Sequence, residues 1–219
     1  MCGRYTLTAT KEQIEEQLGV QLEDYQPRYN IAPSQRVLSL ISDGKSRRAG
    51  YLKWGLVPVW AKDPKIGYKM INARGETVDE KPAFKRLFKR RRCLIVADGF
   101  YEWKRTEKNK KPYRITVNEG IFTFAGLWDR WKSDDKEIVS CTILTTEPNE
   151  AMKEIHDRMP VILGEEERDV WLDPSLEDKE ILNDLIRPYP AKDMNAYEVS
   201  TLVNSPKNEV DACIRSLVE

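Results

Sequence analysis

Histidine is all but absent from this chain: His156 is the only one. The four cysteines, Cys2, Cys93, Cys141 and Cys213, form no Cys-x-x-Cys pair. These two scarcities remove the ligand spacings of a zinc site, and no metal is expected. A Gly-rich phosphate-cradling loop is missing too, so no nucleotide cofactor is expected. No apolar run is long enough to span a bilayer, and residues 1–20 lack the apolar stretch of a signal peptide. The expectation is a cytoplasmic, reduced protein with no membrane partner. Neither sign of charge is in excess, because Lys+Arg and Asp+Glu both number 36. Any nucleic-acid site must therefore come from local clustering. Repeats, low-complexity tracts and linkers are also lacking, so residues 1–219 are read as one domain, expected to be a monomer.

What the chain does have is a dense series of strand-like runs. "TATKEQIEEQLGV" offers Thr10 as a cap, Ile14 and Leu18 on one face, and Gly19 as a stop, which predicts a short helix. "YNIAPSQ" reads as a Pro-punctuated loop. "RVLSLIS" and "AGYLKW" read as strands around a "DGKSRR" turn. In "DEKPAFKRLFKRRR", residues 79–92, Phe84, Leu87 and Phe88 make one apolar seam of a second helix. Strands follow in "CLIVAD", "FYEWKR", "PYRITV", "IFTFAGLW" and "IVSCTILTT", and the pair flanking "NEG" at 118–120 predicts a hairpin. "EPNEAMKEI" and the stretch from Ser175 to Leu185 are helical in pattern, and "AYEVST" is a late strand. Many strands with helices inserted between them predict an α+β domain with a largely antiparallel core. Cys93 and Cys141 sit in apolar runs and read as small buried hydrophobes.

Cys2 follows the initiator methionine. Removal of Met1 would leave an α-amine of pKa about 7.7–8.0 beside a thiol of pKa about 8.5. The amine can form a Schiff base with an aldehyde, and the thiol can then close a five-membered ring. Alternatively the thiol attacks an acyl carbon with the amine as base. In "MINARGET", an extended backbone turns Asn72 and Arg74 to one face and Ile71 and Ala73 to the other. Asn72 could hold a reacting oxygen or the terminal amine, and Arg74 suits phosphate. In "ADGFYEWK", aromatics occupy both faces of the run, which buries Glu102 and raises its pKa toward neutrality. In "EIHDRMP", His156 shares a face with Arg158 if extended, a pairing suited to acid–base work on a phosphodiester-linked substrate. Lys85, Arg86, Lys89, Arg90, Arg91 and Arg92 crowd the open side of the second helix. Trp54 and Trp60 in "KWGLVPVW" are candidates for stacking on bases. Each signal alone also fits a structural role: a chance cysteine, a solvated strand face, a paired glutamate, a core histidine or a solvated charge run.

Taken together, "MCGRY", "YNIAP", "WGLVPVW", "MINARGET", "ADGFYEW", "IHDRMP" and the late "VSTLVNSPKN" closely resemble the SRAP family, the SOS-response-associated peptidases that shield abasic sites. The resemblance covers nearly the whole chain. It implies a single α+β domain on a barrel-like antiparallel sheet. It also implies a thiazolidine crosslink between the processed terminal cysteine and the ring-opened abasic sugar of single-stranded DNA, with no cofactor. Carried over by motif, Cys2 is the nucleophile, Asn72 orients the terminus, Glu102 is the acid–base group, and His156 handles the sugar hydroxyl. Arg74 and Arg158 match phosphate contacts and Trp60 an aromatic at the strand junction. Arg4, Asn30, Pro33 and Thr145 match residues lining the DNA. Lyase-like strand cleavage and self-removal of Met1 are implied as well. Val59-Trp60-Ala61 supplies one aromatic where some members have two.

Two other readings fit parts of the pattern. One is an N-terminal-nucleophile amidohydrolase, since glutamine amidotransferases also begin with a processed cysteine followed by glycine. The other is a non-covalent single-strand-binding module in which Cys2 is incidental.

Overall fold

The computed structural model describes residues 2–107, 109–118 and 120–217. In chain order the elements are strand β1 (Tyr5–Leu7), helix α1 (Lys11–Leu18), and strands β2 (Arg28–Ile31), β3 (Arg36–Ser42), β4 (Arg47–Trp54) and β5 (Asn72–Arg74). Next come α2 (Lys85–Arg90), β6 (Arg92–Ala97), β7 (Gly99–Arg105), β8 (Lys110–Val117), β9 (Phe122–Ser133) and β10 (Lys136–Thr146). The chain ends with α3 (Glu150–Lys153), β11 (Met159–Pro160), β12 (Ile162–Leu163), α4 (Glu165–Leu172), α5 (Lys179–Asp184) and β13 (Met194–Glu198).

The strands form two sheets. One runs β13-β8-β7-β1-β2. The other closes on itself, because β10 pairs with both β4 and β9 around the path β10-β4-β3-β6-β9. Closure leaves no open edge among those five strands. All pairings are antiparallel except β4 with β10 and β5 with β10, which are parallel. The α+β expectation and its largely antiparallel barrel are thus observed.

Aromatic rings fill the space between the sheets. Tyr5 meets Trp54 and Phe124 at centroid distances of 5.4 and 5.6 Å, and Phe124 meets Phe100 and Phe122 at 6.1 and 5.2 Å. Such tilted and edge-on pairs add about 0.5–1.5 kcal/mol each beyond area burial. Cys93 and Cys141 are fully buried here, as expected of them. Trp54 is also fully buried, with its indole N–H donating to the Ile71 carbonyl at 2.9 Å. It is a core residue and cannot stack on a base.

Local chemistry explains most boundaries. Thr10 caps α1: its hydroxyl accepts from the Gln13 N–H, and the Gln13 side chain returns the bond at 2.8 Å. Gly19 ends the helix in the left-handed region at φ 63°. The 79–92 helix is shorter than expected. Pro82 holds the preceding residues in turns, and only Lys85–Arg90 is helical. Tyr29–Ile31 is strand rather than loop, because β1 supplies a partner for it. β1 itself gives no alternating signal, since all three of its residues are buried. Helix α4 opens on three glutamates and is held by the Glu167 carboxylate accepting from the Gly164 N–H at 2.8 Å. The expected 118–120 hairpin is not formed. β8 pairs with β7 and β13, whereas β9 pairs with β6, β10 and β12, so the chain crosses between sheets there. Turn residues between two alternating runs do not distinguish a hairpin from a crossing, and Phe122 and Phe124 complete the core on the far side. Glu119 of that turn lies outside the described residues.

Arg92 also departs from expectation. It leaves the helix, begins β6 and is 4% exposed. Its guanidinium donates to the carbonyls of Phe88 (2.7 Å), Lys89 (2.6 Å), Trp171 (2.6 Å), Leu176 (3.1 Å) and Asp173. It therefore joins the last turn of α2 to the end of α4, and burial pulls its pKa down to about 10. Replacing Arg92 by Ala strands several buried carbonyls and should cost roughly 3 kcal/mol, lowering the melting temperature by roughly 6–12 °C. Lysine should not rescue it, because one ammonium cannot span the fork. A melt equal to wild type for Arg92→Ala would reject this role.

Candidate active site

The site is assembled by the pairing of β1 with β7. Tyr5 lies opposite Phe100, Thr6 lies opposite Gly99, and the Tyr101 N–H donates to the Arg4 carbonyl at 2.9 Å. Continued by two residues, this register sets Gly3 opposite Glu102 and brings Cys2 to the same end of the strand. Asp98 fixes the register from beside it. Its carboxylate accepts from the Thr6 hydroxyl (2.6 Å), the Thr8 hydroxyl (2.7 Å), the Ala9 N–H (2.9 Å) and the Thr8 N–H. Arg114 adds a buried ion pair at 3.2 Å. A side chain at Gly99 would meet the Arg114 guanidinium at 2.7–2.8 Å and displace it from its place beside Asp98.

Cys2 is fully buried, with its thiol 4.0 Å from the Arg4 carbonyl. Burial, followed by the charge of Glu102, drives the thiol pKa far up, so it is held protonated at neutral pH. Asn72 reaches in from β5, and its amide donates to the Cys2 carbonyl at 2.8 Å. β5 is placed by its parallel pairing with β10, in which Asn72 lies opposite Ile143.

Glu102 is 2% exposed. Phe100 and Tyr101, its neighbours on opposite faces of β7, are both fully buried, which is the environment expected from "GFYEW". Desolvation is the main reason its pKa rises from about 4.5 to about 7, with Asp157 adding to the rise and the Trp103 N–H opposing it. His156 Nε2 lies 3.9 Å from the nearer Glu102 oxygen. On the other side of the ring, Nδ1 sits 3.0 Å from the Arg158 N–H and 2.9 Å from an Asp157 oxygen. The neutral ring accepts the Arg158 N–H and so carries its proton on Nε2, facing Glu102. The protonated ring can donate to Asp157 instead. Desolvation lowers the His156 pKa, which favours the neutral form at pH 7.

The remaining candidates divide into exposed and internal groups. Arg74 and Trp60 face solvent, Trp60 being 58% exposed, and Pro33 is half-buried. Arg158 is engaged by the protein: it binds both Glu76 oxygens at 2.5 and 2.9 Å, plus the Thr145 carbonyl at 2.7 Å. Asn30 and Thr145 are fully buried. The Asn30 amide donates to the carbonyls of Val203, Ser205 and Asn208, and its oxygen accepts from Arg4 at 2.8 Å. Arg4 also donates to the Val203 carbonyl at 2.6 Å. The side chains of Asn30, Thr145 and Arg4 thus all bond within the protein and brace the wall of the site. Glu76, Asp157 and Asp129 were not singled out in the sequence. Glu76 and Asp157 are close in sequence to Arg74 and His156, which is the one signal they carried.

The raised Glu102 pKa has a consequence for stability. The unfolded carboxyl ionises near 4.5 and the folded one near 7. In that window the folded chain binds more protons, so this contribution is present at acid pH and is lost as pH rises toward 7, on the order of 3 kcal/mol in total. Relative to Glu102→Gln, wild-type thermal stability should fall from pH 5 to pH 7 and then level off. Parallel pH curves for the two proteins would refute the shift.

Comparison with known proteins is consistent across the whole chain. Residues 1–206 match the family model "SOS response associated peptidase (SRAP)". The chain is 51% identical over 223 residues to the Bacillus subtilis abasic site processing protein YoqW, covering 99% of this chain and 100% of the relative. It is 34% identical over 230 residues to the Xenopus tropicalis abasic site processing protein HMCES, covering 90% of this chain and 68% of that one. A crystal structure of a Bacteroides thetaiotaomicron protein superposes with a TM-score of 0.87 at 30% identity, covering 99% of this chain and 100% of that one. The chain belongs to the SOS response associated peptidase family, whose relatives at this identity are abasic site processing proteins.

Proposed function

We propose that this chain traps the aldehyde of an abasic site in single-stranded DNA as a thiazolidine on Cys2, shielding the lesion. The observation that carries the reading is the convergence on Cys2. Asn72 holds its carbonyl at 2.8 Å, and Glu102 is buried close enough for its charge to act on the thiol. The family's peptidase label is read as removal of Met1, which frees the Cys2 amine; Met1 itself lies outside the described residues.

The buried, protonated thiol favours an order of events. The amine adds first to the aldehyde carbon, giving a carbinolamine. Loss of water gives an iminium, and the thiol then adds to the same carbon while its proton leaves to a base. The products are a five-membered ring and one water. Glu102 suits both proton steps, since a pKa of about 7 leaves it part acid and part carboxylate. As acid it protonates the departing hydroxyl, and as base it takes the thiol proton. We assign to His156, neutral with Nε2 3.9 Å from Glu102, the relay of a proton or a bond to the sugar hydroxyl. The iminium is also the branch point for lyase-type strand cleavage, which ring closure by sulfur intercepts. A thiol held neutral is poorly suited to lead an attack on an acyl carbon, which weighs against the amidohydrolase reading.

We assign phosphate contacts to Arg74, which is supported by its exposure, and to Arg158, which shares its guanidinium with Glu76. Among the described residues no cluster of three or more His, Cys, Asp or Glu is placed to hold a metal, and no helix is long and apolar enough to cross a membrane. We place the activity in the cytoplasm, on the nucleoid when damaged DNA is engaged, with the protein acting as a monomer.

Purified protein mixed with single-stranded DNA carrying one abasic site should give an adduct that survives denaturing electrophoresis. Cys2→Ala should abolish the adduct, and Glu102→Ala should slow its formation by ~10²-fold or more. An undiminished adduct from the Cys2→Ala protein would overturn the mechanism.

A further inference from the structure

We propose that a basic concavity at the end of α2 is a second docking site, for the backbone phosphates of DNA flanking the lesion. The inference rests on the DNA reading above and extends its footprint. The concavity measures about 400 Å³ and is lined by Arg86, Lys89, Arg90, Arg91 and Glu177. Four cations thus line it with one carboxylate, and a second carboxylate, Asp129, lies buried behind Arg86 and Arg91. Arg90 pairs with Glu177 at 2.7 Å, and these two side chains are 70% and 44% exposed. Exposed pairs of this kind hold weakly and exchange readily. Lys89 has no carboxylate partner among the described residues.

A buried carboxylate ties this basic end to the DNA-facing loop. Asp129 is 2% exposed and accepts from Arg91 at 2.7 Å, with Arg86 at 3.7 Å. Its other oxygen accepts the Val59 N–H at 2.9 Å. Val59 and Trp60 are 48% and 58% exposed, and their loop begins beside the site, where the Leu56 N–H donates to the Met70 carbonyl at 3.0 Å. Arg91 also stacks over Trp128 at 4.9 Å, which fixes its plane.

Strand β10 links the two regions. Asn72 lies opposite Ile143 on β10, and Asp129 lies opposite Ser140 three residues away on the same strand. At ~3.3 Å per residue and ~4.8 Å between strands, the backbone of Asp129, which holds Arg91, lies roughly 14 Å from that of Asn72. Phosphate is the matching chemistry, because guanidinium forks bind its paired oxygens and clustered cations release condensed counterions.

The test uses two variants and two substrates. Arg86→Gln with Lys89→Gln removes two cations, and Glu177→Gln removes the competing carboxylate. Equilibrium binding to a long single-stranded oligonucleotide is measured in a Cys2→Ala background, where no adduct forms. Crosslinking rate is measured with Cys2 intact on a trinucleotide carrying the abasic site at its centre. The double variant should weaken long-strand binding and flatten its log–log salt slope by ~1.4, at ~0.7 per lost contact. Glu177→Gln should strengthen that binding, a gain that misfolding cannot produce. Neither change should alter trinucleotide crosslinking. An unchanged salt slope, or an equal loss on the trinucleotide, overturns the docking site. Failure of the wild type to crosslink either substrate counts against the covalent mechanism alone, because the binding arm does not depend on it.

Discussion

The pairing of β1 with β7 is the interaction on which the site depends. β1 is three residues long and sits inside a five-stranded sheet, bonded to β7 on one side and β2 on the other. A strand that short contributes few ladder bonds of its own. The Asp98 carboxylate supplies the rest by gathering Thr6, Thr8 and Ala9, while Arg114 neutralises it. A one-residue slip would turn Tyr5 out of the aromatic core and carry Cys2 away from Glu102. The same contacts that bury Tyr5 therefore place the terminal cysteine.

Burial then decides the chemistry. Glu102 is held between two packed faces of β7, and desolvation brings its pKa to about 7. The same desolvation keeps the Cys2 thiol protonated and His156 neutral. A neutral thiol, a neutral imidazole and a half-ionised carboxyl form a set that moves protons at neutral pH with little charge to stabilise. The thiol's reactivity then comes from position beside an electrophile rather than from a standing thiolate.

Around this centre, polar residues sort into those that face solvent and those that brace them. Arg74 and Trp60 are open to a ligand, while Asn30, Thr145 and Arg4 spend their bonds on the protein. Carboxylates hold two of the braced cations. Glu76 orients the Arg158 guanidinium, and Asp129 does the same for Arg91. Both arrangements fix the direction of a guanidinium in the folded chain.

Much of this was legible in the sequence, where the signal was local. The cap at Thr10, the alternating aromatics around Glu102 and the order of motifs from Cys2 to His156 specified a helix, a buried acid and a set of partners for the terminus. The missed features share one cause: they depend on residues far apart in the chain. β1 is invisible because burial on both faces erases alternation. The 118–120 turn reads like a hairpin because only the core beyond it sends Phe122 to the other sheet. Arg92 reads as part of a basic helix face, and only the carbonyls at the end of α4 draw it inside. The sequence by itself determined which chemical groups are present and the local conformations that short-range sterics and hydrogen bonds enforce. Only the tertiary structure decided which of those groups lose water and which neighbours they meet, because desolvation and long-range pairing belong to the packed chain and to no segment of it.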